Sequence, residues 1–507
     1  MVPCRYRPTI AIALAAVLIG FLLLPGGTVP TRADSPPHLG YGMMLANPPG
    51  NLGKMTAAGF EWFKYFLYWE DVQPSASGGY DWTTLDWRLD DAAAHNVHLI
   101  LRVEKAPSWA RAWEHPWAPV RHDEMTAWRD FFQAMVEHIA AWQESHGTSF
   151  RVALEVWNEP NLSFQWGDRP VDPAWYTEMV RYAYDGAKAG DPFVFVVAGG
   201  LAPTGGTSDG MAMNDVEYLK AMYDAGLKGH FDAIAIHNYG FGGPPEDKNW
   251  GWGILNFRRA EDIHAVMVNH GDGDKPVWAT EFGWLLDASY EGHPECVGYW
   301  DSIGFAWQRV TPQQQADYLV RAFQYADANW PWMEVMVVSN LDFSTVGWYS
   351  TCEPLRWFSI LKPDGSPRPA YTALKDMTKR YRSWAVWGMD VRPSSLAWMM
   401  PVTETQRVTQ TVTVLNTGRE PFSWTVTTHT YGLPFYVTPL SGEADETFQV
   451  VVDAHGLATG TYTGRITVTA SASEVPESPF AVPLALYVVP RVHKVYLPLT
   501  NRSFSGP

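Results

Sequence analysis

The chain has 507 residues, too many for one average domain and enough for a barrel of about 250 to 350 residues with a smaller companion. Its 54 acidic side chains outnumber 37 basic ones, for a formal charge of −17. Such a chain is soluble and avoids polyanions, and without a basic stripe to neutralise phosphates it excludes nucleic acid as a partner.

The N-terminus carries Arg5 and Arg7, an apolar run from Ile10 to Leu24, then Pro25-Gly-Gly and small residues up to Ala33. This order reads as a secretory signal peptide over residues 1–33. The run is shorter than the roughly 20 residues a membrane span needs, and no other run is long enough. Cys4 precedes the run, which does not fit a lipid-modified cysteine at a cleavage site. The mature product is therefore expected outside the cell or on its surface, as a monomer. Removal of residues 1–33 takes three arginines and no acid, so the charge moves from −17 to −20.

From residue 38 to 382, short β-rich apolar runs alternate with helical patterns. Strands are predicted at His38–Leu45, Trp62–Trp69, Val97–Val103, Arg151–Trp157, Phe193–Gly199, Ala233–Asn238, Val277–Glu281 and Val335–Leu341. Apolar residues at i, i+3, i+4 spacing predict helices over Trp82–Ala93, Met125–Trp142, Trp175–Ala187, Val216–Ala225, Phe257–Val268, Gln313–Ala328 and Tyr371–Tyr381. Eight such units make a parallel (β/α)8 barrel, an α/β fold whose strands are apolar on both parities because helices cover one face and the barrel interior the other. Chemistry then belongs at the carboxyl ends of the strands. The segments Gly240–Gly253, Leu285–Trp307 and Ser344–Trp357 are long and rich in Trp, Tyr and Gly, as cleft-walling loops are.

After a linker at 383–394 the period changes to two. Arg407–Val414, Phe422–Thr427, Glu446–Val452 and Tyr462–Thr469 alternate apolar and polar residues between turn signals, and about seven strands over 395–490 predict an immunoglobulin-like β-sandwich. Residues 491–507 read as a tail.

Two segments carry the chemistry. Glu155-Val-Trp-Asn-Glu-Pro-Asn161 closes the fourth strand and Trp278-Ala-Thr-Glu-Phe-Gly-Trp284 the seventh, so Glu159 and Glu281 surface three strands apart around one barrel mouth. A pair of carboxyl groups delivered this way is what hydrolysis of a glycosidic bond requires, one to protonate the leaving oxygen and one to attack the anomeric carbon. The bland reading of either glutamate alone is a buried ion-pair partner. Glu155 shares the parity of Glu159 one pleat deeper and reads as a structural acid. The sixth strand ends Ile236-His-Asn-Tyr-Gly240, with His237 and Tyr239 on one parity and both directed inward. The 26 Trp and 23 Tyr residues supply flat faces that suit the C–H faces of sugar rings, although most of them belong to the core. Cys296 and Cys352 fall in the loops after strands seven and eight, where a disulfide is expected of an exported chain. The fifteen histidines include no metal-binding spacing, so neither a metal nor a cofactor is expected.

Across residues 38–382 the chain resembles the clan A retaining glycoside hydrolases, nearest the cellulase-like family 5 and the xylosidase-like family 39. The resemblance rests on Asn158-Glu159-Pro160 at strand four, Glu281 at strand seven and His237-Asn-Tyr239 at strand six. It implies that Glu159 is the general acid/base, that Glu281 is the nucleophile, that Asn158 bonds the sugar 2-hydroxyl, and that His237 and Tyr239 hold the nucleophile and line the sugar site. Many clan members place an arginine where this chain has Lys64. Family 5 members commonly carry a tryptophan at the end of strand eight, where this chain has Ser339-Asn-Leu-Asp-Phe343. Lys64, Arg102 and Trp284 are further substrate-binding candidates, and Arg102, Trp109, Trp157 and Trp284 are expected either to line a sugar subsite or to support the residues that do. The phrase Gly460–Ala470 resembles the last hairpin of the BACON-type sandwich modules of carbohydrate-active enzymes. The same glutamates also suit a transglycosylase, and a non-catalytic carbohydrate-binding surface protein is the distant alternative.

Overall fold

A computed structural model of the chain describes residues 38–491 except 47–49, 149, 383–387, 417–420, 474 and 476–477. The expected signal peptide over residues 1–33 and residues 492–507 of the expected tail lie outside the described residues. Among the described residues no helix is long and apolar enough to cross a membrane.

Eight parallel strands close into a barrel: β1 (Gly40–Met44), β2 (Trp62–Tyr68), β3 (His98–Glu104), β4 (Val152–Val156), β5 (Phe195–Leu201), β6 (Ala233–His237), β7 (Val277–Phe282) and β8 (Met333–Val338), with β8 pairing back onto β1. Each strand leads into a helix of the outer ring: α1 (Leu52–Ala57), α2 (Thr83–His95), α3 (Met125–His146), α4 (Pro173–Gly190), α5 (Asp215–Asp224), α6 (Ala260–Asn269), α7 (Pro312–Asn329) and α8 (Pro369–Asp376), with shorter helices at Trp69–Val72, Pro294–Ser302 and Leu355–Phe358 in the rim loops. The local sequence explains the helix ends. Thr311 and Gln314 form a reciprocal capping box with Pro312 in the first turn of α7, and α3 stops at Gly147, whose φ of 61° is the left-handed conformation glycine adopts without strain. On α3 the buried face is Trp128, Phe131, Phe132, Met135, Ile139 and Trp142, each side chain worth about 1.5 to 3 kcal/mol of burial.

Two layers of core follow from strand alternation. Outward residues such as Leu99, Leu101 and Val103 of β3 join the helices in the larger cluster, while inward Trp62, Ile100, Phe195 and Trp278 form the barrel's own interior. Trp278 stacks on Phe195 with centroids 4.8 Å apart and meets Trp62 edge-on at 5.3 Å. The lower barrel is thereby filled, and the polar inward residues of the same strands lie above this plug.

Most element boundaries differ from the sequence expectation by a few residues, and three differences have clear causes. Helix α1 has only six residues, too few to show a helical period. Helix α8 starts earlier than expected because Pro369 suits a first turn, and it ends at Met377, whose backbone is extended. The expected linker contains a strand, β9 (Met389–Arg392), in which Met389 and Val391 are buried and the backbone pairs antiparallel with residues 413–416.

Beyond it come β10 (Leu396–Pro401), β11 (Arg407–Asn416), β12 (Ser423–Tyr431), β13 (Phe435–Thr438), β14 (Ser441–Glu443), β15 (Thr447–Asp453), β16 (Gly460–Ala470) and β17 (Phe480–Val489). They form a four-stranded sheet, β9-β11-β15-β13, and a five-stranded sheet, β10-β17-β16-β12-β14. Val412, Trp424, Phe448, Ile466 and Leu484, drawn from both sheets, share one core, so this part is a β-sandwich. All its pairings are antiparallel except β10 with β17.

On the barrel rim, Cys296 and Cys352 are joined by a disulfide across 56 residues. Cys296 sits in the short helix Pro294–Ser302, and the Trp300 indole of that helix donates to the Cys352 carbonyl at 2.8 Å. Replacing both cysteines with alanine is expected to lower unfolding stability by about 2 to 4 kcal/mol, measured by calorimetry of the oxidised full chain; an unchanged transition would show that the bridge contributes nothing to the barrel.

Candidate active site

Each barrel strand, or the loop that follows it, sends a residue to one cleft of roughly 610 Å³ at the carboxyl ends, including Met44, Tyr68, Arg102, Glu159, Ala202, Tyr239, Glu281 and Phe343. Alternation places Lys64 on β2, Arg102 and Glu104 on β3, and Glu155 on β4 on the same inward parity as the plug residues below them. Strand β7 breaks the rule. Its register shifts against both neighbours between Ala279 and Phe282, and this bulge turns Thr280 and Glu281 inward together. The Thr280 hydroxyl bonds Glu155 at 2.5 Å, while Glu281 reaches the cleft one step higher.

The acid on the other side is aimed by an irregular turn. Trp157 and Glu159 both have positive φ, 67° and 37°, a strained conformation for residues with a Cβ. The turn is pinned by Glu159 N–H to the Gly200 carbonyl at 3.1 Å, and by Asn161, which donates to the carbonyls of Ala202 and Met213 and accepts from the Ala202 amide. Gly200 is required here. A Cβ on it would stand 3.2 Å from Glu155 Oε1 and 3.3 Å from His237 Nε2, at a φ of 68°.

His237 joins the two sides. Its Nδ1 lies 2.8 Å from Glu159 Oε1, and its Nε2 lies 3.6 Å from Glu281 Oε1 and 3.9 Å from Glu155. Burial alone would lower its pKa, but the three carboxylates outweigh burial and raise it to about 9, so the ring is an imidazolium. Glu281 is further held by Arg102 at 2.9 Å and Lys64 at 3.2 Å, and its Oε2 accepts from the Tyr239 hydroxyl at 2.9 Å. Burial would raise the Glu281 pKa; His237, Lys64 and Arg102 overcome it and bring the group down to about 2. Glu155 is likewise about 2, with burial outweighed mainly by Lys64 at 2.6 Å. Arg102 also donates to Asn158 Oδ1 at 2.7 Å, pairs with Glu104 at 3.1 Å, and lies over the Phe66 ring at 4.3 Å.

The structure thus brings Asn158, Glu159, His237, Tyr239, Glu281 and Arg102 together, and places Glu155 as a structural acid. Three details depart from the expectation. His237 hydrogen-bonds Glu159 and meets Glu281 only as an ion pair at 3.6 Å, so the hydrogen bonds to Glu281 come from Tyr239 and the two cations. Lys64 is fully buried beneath the cleft and reaches no substrate surface; it pairs with Glu155 and Glu281 instead. Trp284 is also fully buried, donates its indole N–H to the Gly243 carbonyl at 2.8 Å, and packs on Phe257 and Tyr318, so it is a core residue and not a wall of the cleft. Trp157 donates to the Gln165 carbonyl and Trp109 to that of Gln73, both as supports. Residues not singled out from the sequence include Glu104 and the lining aromatics Phe66, Tyr68, Trp117 and Tyr349. The parity of Glu104 with Arg102 was a usable signal, while the aromatics carry no pattern beyond their place near strand ends.

No protein-family model matches the chain, and no curated protein matches it. Solved structures do. A family 39 glycoside hydrolase from the gut symbiont Bacteroides cellulosilyticus WH2 is similar with a TM-score of 0.50 at 16% identity, over 83% of this chain and 82% of that one. The shared property is the fold. A GH39 β-xylosidase from Caulobacter crescentus has a TM-score of 0.46 at 18% identity over 68% and 71% of the two chains. A GH39 enzyme from Xanthomonas axonopodis pv. citri has 0.47 at 13% over 84% and 95%.

The charges make stability depend on pH in a defined window. The raised His237 contributes stability that is full below its ordinary 6.5 and lost as pH rises through about 9; the depressed Glu155 and Glu281 contribute stability present above their ordinary 4.5 and lost as pH falls toward about 2. The thermal midpoint is expected to be highest between these limits, and His237→Gln should flatten the alkaline decline; an unaltered alkaline limb would show that His237 is not the group responsible. Lys64→Met leaves Glu155 and Glu281 without their shared cation and should cost about 3 to 5 kcal/mol by chemical denaturation.

Proposed function

We propose that the chain is a secreted, retaining glycoside hydrolase acting on β-glycosidic bonds in oligo- or polysaccharides. One observation carries this reading: Glu159 and Glu281 approach the two nitrogens of a single buried imidazolium and both open into the same cleft. The fold shared with a family 39 glycoside hydrolase supports it.

In the substrate complex Glu159 carries a proton on Oε2 while its Oε1 still accepts from His237; in the first step the Glu281 carboxylate attacks the anomeric carbon as the bond to the leaving oxygen breaks, and that Glu159 proton passes to the oxygen. The carboxylate left on Glu159 faces the N–H of His237, which stabilises it. In the second step Glu159 takes a proton from water as the water oxygen attacks the anomeric carbon, and the ester to Glu281 breaks to restore both groups. Arg102 and Tyr239 keep Glu281 ionised and aimed between turnovers. Asn158, whose Oδ1 accepts from Arg102, lines the cleft and is assigned the sugar 2-hydroxyl. Export rests on the N-terminal segment Arg5 to Ala33. The sandwich, immunoglobulin-like in its strand pattern, is assigned a spacing or glycan-binding role.

Glu281→Ala is expected to abolish turnover while retaining substrate binding, and Glu159→Ala to lower kcat/KM by about 10²–10⁴ on substrates with poor leaving groups and far less on aryl glycosides with good ones. NMR of the first-formed sugar should show the original anomeric configuration; inverted product would overturn double displacement.

A further inference from the structure

Trp252 is 83% exposed, the most exposed of the chain's large hydrophobic side chains among the described residues. It sits in the loop between β6 and α6, where Gly251, Trp252 and Gly253 have consecutive positive φ values of 55°, 59° and 76°. A tryptophan in left-handed backbone is strained, and its face in water forgoes the burial that would favour it. The loop nevertheless is built to hold it there. The Trp250 ring covers Gly243, where an added Cβ would come within 2.4 Å of it, and Gly242 lies so close to the Trp307 carbonyl that a Cβ would come within 2.6 Å. These contacts lock the loop onto the segment that precedes α7.

The exposed ring also continues a line of aromatics that starts at the reaction centre. Tyr239, bonded to Glu281, lines the cleft, and so does Phe241, itself at a positive φ of 52°. Trp307 stacks on Phe241 with centroids 5.5 Å apart and planes 13° from parallel, and Trp252 meets Trp307 at 6.0 Å and 62°. Phe241 and Trp307 cover one face of each other, so the surface this line leaves to the C–H faces of further sugar rings is the part-exposed Trp307 and the open ring of Trp252. We propose that Trp252 and Trp307, continuing from Phe241, form a distal glycan subsite, so that the cleft takes a chain longer than a disaccharide. The proposal rests on the glycosidase reading for the identity of the ligand, but its geometry is independent of turnover.

The test compares the full chain with Trp252→Ala on β-1,4-linked gluco- and xylo-oligosaccharides from disaccharide to hexasaccharide, with affinity electrophoresis in soluble xylan and β-glucan as a readout that needs no catalysis. Trp87, exposed on α2, supplies a control in Trp87→Ala. The expected result is a roughly tenfold fall in kcat/KM on the hexasaccharide, an unchanged value on the disaccharide, loss of gel retardation, and no effect of Trp87→Ala. Equal losses on short and long substrates, or none on either, would overturn the subsite while leaving the hydrolase intact. Retardation that depends on Trp252 in a chain that hydrolyses none of the series would support the subsite and overturn hydrolysis of these β-1,4 linkages. Absence of both turnover and retardation would overturn the subsite and hydrolysis of these β-1,4 linkages together.

Discussion

The barrel mouth is organised by buried charge. Lys64, Arg102 and the His237 imidazolium stand among Glu104, Glu155 and Glu281, nearly all removed from water. Desolvating any one of these ions alone would cost several kcal/mol. Their mutual arrangement offsets that cost, and it constrains geometry in return: Lys64 on β2 must reach β4 and β7, and Arg102 on β3 must reach both Glu281 and Asn158. A strand displaced by one residue would turn its charged side chain out of the interior and leave its partners exposed to one another.

Above this cluster, local irregularity does what regular strands cannot. A regular β7 would present Thr280 and Glu281 to opposite faces, and the bulge delivers both to the inside. The left-handed Trp157 and Glu159 perform the corresponding task after β4. Strain in these places is held by specific bonds, among them the three made by the Asn161 side chain, and it gives the two glutamates their convergence on His237.

Much of this was legible in the sequence because it follows from period and parity. Eight apolar runs separated by helical spacing led to the barrel, and the inward parity of His237, Tyr239 and Glu155 led to their places. What escaped reading has no periodic signature. The bulge in β7 looks like any strand end, six residues of α1 are too few to repeat, and Trp284 follows a strand in the same way a cleft residue would, yet turns into the space beside Gly240 and Gly243. The depth of Lys64 was not visible: only the register of β2 against β3, with Lys64 opposite Ile100, places it below the substrate surface. The edge strand Met389–Arg392 passed as linker because four residues show a single alternation.

The tryptophan and phenylalanine plug of Trp62, Phe195 and Trp278 leaves the barrel sealed beneath the charges. Arrival and departure therefore share one doorway. Under the proposed chemistry, the severed sugar and the incoming water compete for that doorway while the ester on Glu281 waits. How long the first fragment lingers then governs whether the waiting sugar is handed to water or to another hydroxyl, so a change far out on the rim, with both glutamates untouched, is enough to shift the balance between breaking chains and rejoining them.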